Sequence, residues 1–147
     1  MSTLNVITHE QDFSAWALQN AELLRQGKFV ECDVANIAEE LDSMGRSVKR
    51  ELASRLRVLL MHLLKWRYQP ERRGTSWRLT IRNQRTEIRD LLKDNPSLSS
   101  QLPMQLAESY VDARELAVDE TGLPTSTLPV ENPFTLEETL NQNYWPD

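Results

Sequence analysis

The chain has 147 residues, 39% of them apolar and 27% charged, with 17 Lys and Arg against 22 Asp and Glu. That is one domain's length and the composition of a folded, soluble chain, which excludes extended disorder; no apolar run approaches the ~20 residues of a membrane span. The single cysteine, Cys32, excludes an internal disulfide framework and points to a reducing, cytoplasmic setting; the net charge of −5 argues against whole-molecule attraction to nucleic acid.

Residues 1–11 read as a loose N-terminal arm without the basic and apolar regions of a secretory signal. From there to residue 69 no proline interrupts the chain, and apolar residues follow the helical period. Asp12 is positioned to cap a first helix running to about Gln26, with Phe13, Trp16, Ala17, Leu23 and Leu24 as its stripe, Asn20 interrupting it and Gly27 as its stop. Asp33 caps a second helix expected to bury Val34, Ile37, Leu41 and Met44, with Gly45 as a break or kink. A third helix is expected from about Arg46 to Tyr68, ended by Pro70. Its stripe of Val48, Leu52, Leu56, Leu59, Leu63 and Trp66 is widened by Leu60 and Leu64, so it should be touched on several sides.

Residues 70–75 form a loop, and Thr75 or Ser76 caps a fourth helix to about Lys93, with Trp77, Ile81, Ile88 and Leu92 inward. A short helix near 98–102 leads into a fifth, about Met104 to Thr121, burying Leu106, Tyr110, Ala113 and Ala117 and stopped by Gly122. The tail over 123–147 holds four of the seven prolines and should be mostly irregular. It contains one capping box, Thr135-Leu136-Glu137-Glu138, opening a last short helix, and Phe134, Tyr144 and Trp145 are expected to pin it to the body. The fold class is therefore all-α: one irregular bundle of about five main helices plus a short C-terminal helix, spanning 1–147 as a single domain.

Charge is unevenly spread. Residues 46–89 hold 13 Lys and Arg and three acidic residues, a local charge of +10, leaving −15 for the rest. Arg78, Arg82, Arg85 and Arg89 recur at i, i+4, i+7 and i+11, which places four guanidiniums along one face of the fourth helix. Glu108, Asp112, Glu115 and Asp119 repeat that spacing on the fifth, so the two stripes either face each other or face different partners. A solvated or internally paired face is the ordinary explanation of such stripes. The functional one is that the arginine face binds a partner, since the guanidinium fork takes carboxylate or phosphate bidentately. Trp66, Tyr68 and Trp77 flank the 70–75 loop, but no named nucleic-acid motif is present, and nucleic acid is the less favoured partner.

A second candidate lies on the third helix, where Glu51, Arg55, Val58 and His62 share one line beside the apolar stripe, with Glu40 able to join if the second helix folds back. A carboxylate and an imidazole at a helix interface could do acid–base chemistry, which makes His62, Glu51 and Glu40 the candidate catalytic residues. A satisfied polar network fixing helix register is the simpler account. His62 has no carboxylate or histidine at i±3 or i±4, so no local metal motif exists and no metal is expected. Cys32 lies between Glu31 and Asp33, carboxylates that disfavour a thiolate nucleophile. The isolated glycines exclude phosphate-cradling and dinucleotide patterns, so no cofactor is implied.

The run Asn36-Ile-Ala-Glu39-Glu40-Leu-Asp-Ser43-Met44-Gly45 resembles the bacterial domain-of-unknown-function family number twenty-nine. So do Leu59-Leu-Met-His62-Leu-Leu-Lys65-Trp66-Arg-Tyr-Gln69-Pro70, Ser76-Trp77, Asp12-Phe-Ser-Ala-Trp16, Gly27-Lys-Phe29, Pro96-Ser-Leu98 and Thr121-Gly122-Leu123. The resemblance covers roughly residues 10–146 and implies a small helical bacterial protein; it supplies no catalytic residue. Family members often carry a cysteine just before the proline of a Pro-aromatic-Thr motif. Here that place is Asn132, ahead of Pro133-Phe134-Thr135, so no thiol role carries over.

Three functions compete on these grounds. The favoured one is a non-enzymatic interaction or regulatory module with an unknown protein partner. The second is a small metal- or ligand-binding enzyme with a His/Glu site between helices. The third is a homodimer in which the wide arc of the third helix covers a two-fold contact. None involves a membrane.

Overall fold

The structure is a computed structural model describing residues 6–147. The chain divides into two compact units, Met1–Arg46 and Ser47–Asp147. Helices account for the regular structure and no strand occurs among the described residues, so the chain is all-α, with five α-helices and short 3₁₀ turns. The first five residues of the expected arm lie outside the described residues.

In the N-terminal unit, α1 (Phe13–Arg25) opens as its sequence dictates. The Asp12 carboxylate accepts the Ala15 N–H at 3.0 Å, satisfying one of the donors that a helix start leaves orphaned. Gly27 ends the segment at φ +73°, a conformation that costs glycine nothing. A 3₁₀ turn, Phe29–Glu31, leads to Asp33 and α2. Among the described residues of the unit, Trp16, Asn20 and Leu23 are buried.

Two expectations fail in this unit. The second helix does not bury its stripe: Val34, Leu41 and Met44 are 66%, 60% and 57% exposed, and only Ile37 is half-buried. On α1 the groove beside Leu41 and Met44 is lined by Trp16, Ala17, Asn20, Ala21 and Leu24, and the two alanines are too small to cover them. Nor does Gly45 break anything, because the second and third helices are one, α2 (Val34–Tyr68). An interior glycine costs about 1 kcal/mol relative to alanine, too little to interrupt a long run of helix-compatible residues.

The C-terminal unit is built on the second half of α2. Leu52, Leu56, Leu59, Leu60, Leu63 and Leu64 are fully buried, so the wide arc is enclosed by the unit's own elements and is not left open for a two-fold contact. The helix α3 (Thr75–Asp94) adds Ile81 and Ile88; its N-cap is Gly74, not Thr75 or Ser76. The expected short helix is a 3₁₀ turn, Pro96–Gln101, running into α4 (Leu102–Thr121), which contributes Leu106, Tyr110, Ala113 and Ala117. Gly122 closes α4 at φ +70°.

The tail carries α5 (Leu136–Leu140), and its capping box is fully formed. Thr135 Oγ1 accepts the Glu138 N–H while Glu138 Oε1 accepts the Thr135 N–H, both at 3.0 Å. Phe134 is buried, Tyr144 meets its ring edge-on, and Trp145 lies against Trp66 with ring centroids 4.8 Å apart.

Candidate functional site

The four arginines of α3 share a face but not an environment. Arg85 is only 2% exposed. The tail arrives there without regular structure after α5, and the last carbonyls of so short a helix have no intrahelical donors. The Arg85 fork supplies them: Nε donates to Thr139 O at 2.8 Å, Nη1 to Tyr144 O at 2.8 Å and Nη2 to Glu138 O at 3.1 Å. Its guanidinium also lies 5.6 Å from the Trp145 ring centroid. Burial pulls the Arg85 pKa down to about 10, still charged at neutral pH. Arg85 is therefore a clasp for the tail, and the sequence-based expectation that it joins a partner-facing stripe meets a buried side chain bonded at Nε, Nη1 and Nη2.

The clasp splits the stripe. Gln142 crosses the same helix, donating from Nε2 to Arg82 O at 3.0 Å and to Thr86 Oγ1 at 3.1 Å. Arg78 and Arg82 remain exposed on one side of the crossing, beside the half-exposed Leu79. Among the described residues neither has a carboxylate within ion-pair distance. Arg89 lies on the other side, exposed, with a 3.5 Å contact to its neighbour Asp90. Among the described residues no ion pair joins α3 to the acidic stripe of α4, whose members are exposed; Asp112 reaches Arg57 of α2 instead, at 4.0 Å.

Arginine serves as a staple elsewhere too. Arg73 Nε donates to Trp66 O, an orphan carbonyl in the last turn of α2, at 2.7 Å, and Arg73 Nη2 to Pro146 O at 3.1 Å. Arg114 holds Thr125 O and Leu128 O. Tyr110 donates its hydroxyl to Pro129 O at 2.5 Å, and burial pushes its pKa up to about 12. Four side chains thus hold the tail by its backbone, a role that residue type and spacing do not announce.

The residues of the second candidate are dispersed. Glu51 accepts from Nε and Nη2 of Arg55 at 3.2 and 3.0 Å, the expected i, i+4 pair, and Arg55 goes on to Gln84 Oε1 of α3 at 3.2 Å. His62 lies eleven residues further along α2, about 16 Å by helical rise. Its Nδ1–H donates to Val58 O at 2.8 Å. Burial lowers its pKa, so the ring is held neutral. Glu40 belongs to the N-terminal unit and is taken by another histidine.

That histidine is His9, within the N-terminal segment that the sequence marks as a loose arm. Its Nε2 is 2.6 Å from Glu40 Oε1, and its ring meets Phe13 and Trp16 edge-on at centroid distances of 5.2 and 4.7 Å. The hydrogen bond and charge of Glu40, with Glu10 and Asp33 nearby, raise its pKa. Beneath it, Asp33 accepts the Trp16 indole N–H at 2.9 Å and the Asn36 amide at 2.8 Å, which hold its pKa down. Asn20 accepts the Asp33 backbone N–H at 2.8 Å and donates to Trp16 O at 3.0 Å. The one signal for this network is the polar Asn20 placed on an apolar stripe. A cavity of about 290 Å³ adjoins it, lined among others by His9, Asn20, Cys32 and Asp33. Among the described residues no three His, Cys, Asp or Glu side chains are placed to hold a metal ion.

No helix among the described residues is long and apolar enough to cross a membrane. The model of one family, the domain of unknown function DUF29, matches residues 8–145, nearly the whole chain, and the chain belongs to that family. Comparison with curated proteins finds no match, and neither does comparison with solved structures.

Proposed function

For this member of the DUF29 family we propose a non-enzymatic interaction module that presents Arg78 and Arg82, with Arg89 beyond the tail crossing, to an acidic protein partner. The observation that carries the reading is the placement of Arg78 and Arg82 one turn apart on α3 beside the exposed Leu79, with no carboxylate within ion-pair distance among the described residues. Lys49, Arg50, Arg67, Arg72 and Lys93 are exposed without such a carboxylate too, whereas Arg55, Arg57 and Lys65 each reach one and Arg73, Arg85 and Arg114 each hold backbone carbonyls. Two guanidiniums one turn apart beside an exposed leucine suit bidentate carboxylate recognition with an apolar anchor.

The test is the fluorescence anisotropy of labelled polyglutamate titrated with the protein. Binding should weaken with salt and fall more than about tenfold in Arg78→Glu plus Arg82→Glu, since like charges repel across such a contact. Unchanged binding in that variant removes the arginine face from the account. A single-stranded oligonucleotide that binds tighter than polyglutamate at equal salt would replace the protein partner with nucleic acid.

A second reading, a small ligand-binding enzyme, is favoured by one observation: His9, bonded to Glu40, lines a cavity of about 290 Å³ together with Glu10, Asn20 and Asp33. It moves the His/Glu pair from His62 to His9. Native mass spectrometry of the protein purified from its own cells should then show a small-molecule adduct that His9→Ala abolishes; an adduct unaffected by that change, or none, counts against it.

A further inference from the structure

We propose that the partner of the arginine face is a second copy of this chain, whose N-terminal unit receives α3 in its apolar groove. The inference rests on the proposed role of Arg78 and Arg82 and names what they bind. It begins from unevenly distributed apolar exposure. Nine exposed large hydrophobic residues lie among the 41 described residues of the N-terminal unit, against five among the 101 of the other. Three of the nine, Leu24, Leu41 and Met44, line one groove of about 260 Å³ between α1 and α2, together with Ala17, Ala21 and Ile37 among others. A unit with three buried residues among the 41 described has little core of its own, and such units usually gain stability from association.

Charge selects the occupant. The N-terminal unit contains eight acidic and three basic residues, a charge of −5. Two such units placed groove to groove would repel, so the groove calls for a basic occupant with an apolar side chain to insert. The exposed face of α3 has both: Arg78 and Arg82 beside Leu79, which is 51% exposed. A helix laid in an apolar groove is a common recognition mode. The contact joins the groove of one chain to α3 of the other, two different surfaces, so it is heterologous. It closes as a reciprocal pair or grows as a chain of copies.

Sedimentation velocity of the full chain over a concentration series at low salt tests this. The wild type should gain mass with concentration and lose it in high salt. Arg78→Glu plus Arg82→Glu, and separately Leu41→Glu plus Met44→Glu, should each weaken self-association by about 100-fold or more. All four positions are exposed, so circular dichroism should be unchanged. Mixing the two variants should restore a complex, because one supplies an intact groove and the other an intact helix face. A wild type that stays monomeric throughout, variants that associate like wild type, or a mixture that remains monomeric overturns the proposal. Polyglutamate binding separates the two levels. If the chain stays monomeric while polyglutamate still binds through Arg78 and Arg82, the self-docking inference fails and the arginine-face reading stands; if the arginine variant leaves polyglutamate binding unchanged, the reading itself fails.

Discussion

The two units of this chain solve the problem of stability in opposite ways, although one helix, α2, runs through both. The C-terminal unit buries six leucines of α2 completely and locks an irregular tail over them with arginine and tyrosine bonds to its backbone. The N-terminal unit buries three of its described residues and is stitched by polar side chains: His9 to Glu40, Trp16 and Asn36 to Asp33, Asn20 to the Asp33 backbone. The same apolar stripe that is sealed from Leu52 onward is open at Val34, Leu41 and Met44. Helix propensity alone therefore says nothing about where a helix is covered; the volume of the side chains opposite decides it.

The largest effect expected from this contrast comes from truncating the same residue type on the same helix. Leu59→Ala should cost about 2–5 kcal/mol of stability, whereas Leu41→Ala should stay within about 0.5 kcal/mol, both read by urea unfolding of the monomer. Equal losses would mean that the stripe is covered along its whole length. Next is the tail clasp. Arg85→Met preserves much of the apolar stem but strips three carbonyls of their donor, at a cost of about 3 kcal/mol, and Arg85→Lys should not restore it because one ammonium cannot span Glu138, Thr139 and Tyr144. Full rescue by lysine would show that charge, not the fork, holds the tail. In the N-terminal unit, Asn20→Ala should cost about 1–2 kcal/mol and loosen that unit alone. Amide exchange of α1 would report the change, and unchanged protection there would remove Asn20 as a stitch.

The smallest effect separates the units by sign. The pKa of His9 is raised, so its contribution is fully present below the ordinary value of 6.5 and is lost as pH rises through the folded value. The pKa of His62 is lowered by burial. The unfolded chain takes the proton first, so this contribution is present above 6.5 and is lost as pH falls toward the folded value. NMR titration of the two imidazoles should place His9 above and His62 below 6.5, with Glu40→Gln lowering only His9. A His9 value at or below that of His62 would contradict the assigned environments.

Much of this architecture is legible in the residues. Asp12 and Asp33 as caps, the Thr135–Glu138 capping box, the glycine stops at 27 and 122 and the inward stripe of α4 all follow local rules, which act over one turn and need no knowledge of neighbours. What escaped depends on elements far apart in sequence. Arg85 looks like Arg78, Arg82 and Arg89 until a tail more than fifty residues later lays its carbonyls across it. Likewise His9 and Glu40, 31 residues apart, are joined only once α1 and α2 pack. The exposed groove at Leu41 and Met44 reads in sequence as one more buried stripe, because the pattern records which side chains are apolar and not what stands opposite them.

The central claim is that the N-terminal unit is underpacked by itself and gains its cover by association. Native-state amide exchange of the full chain at low and high protein concentration tests it most directly. At low concentration, amides within residues 13–25 should exchange far faster than those within 52–64. At high concentration, protection of residues 13–25 should rise while that of 52–64 stays the same. Equal protection of the two segments at low concentration, or protection that ignores concentration, would contradict the account.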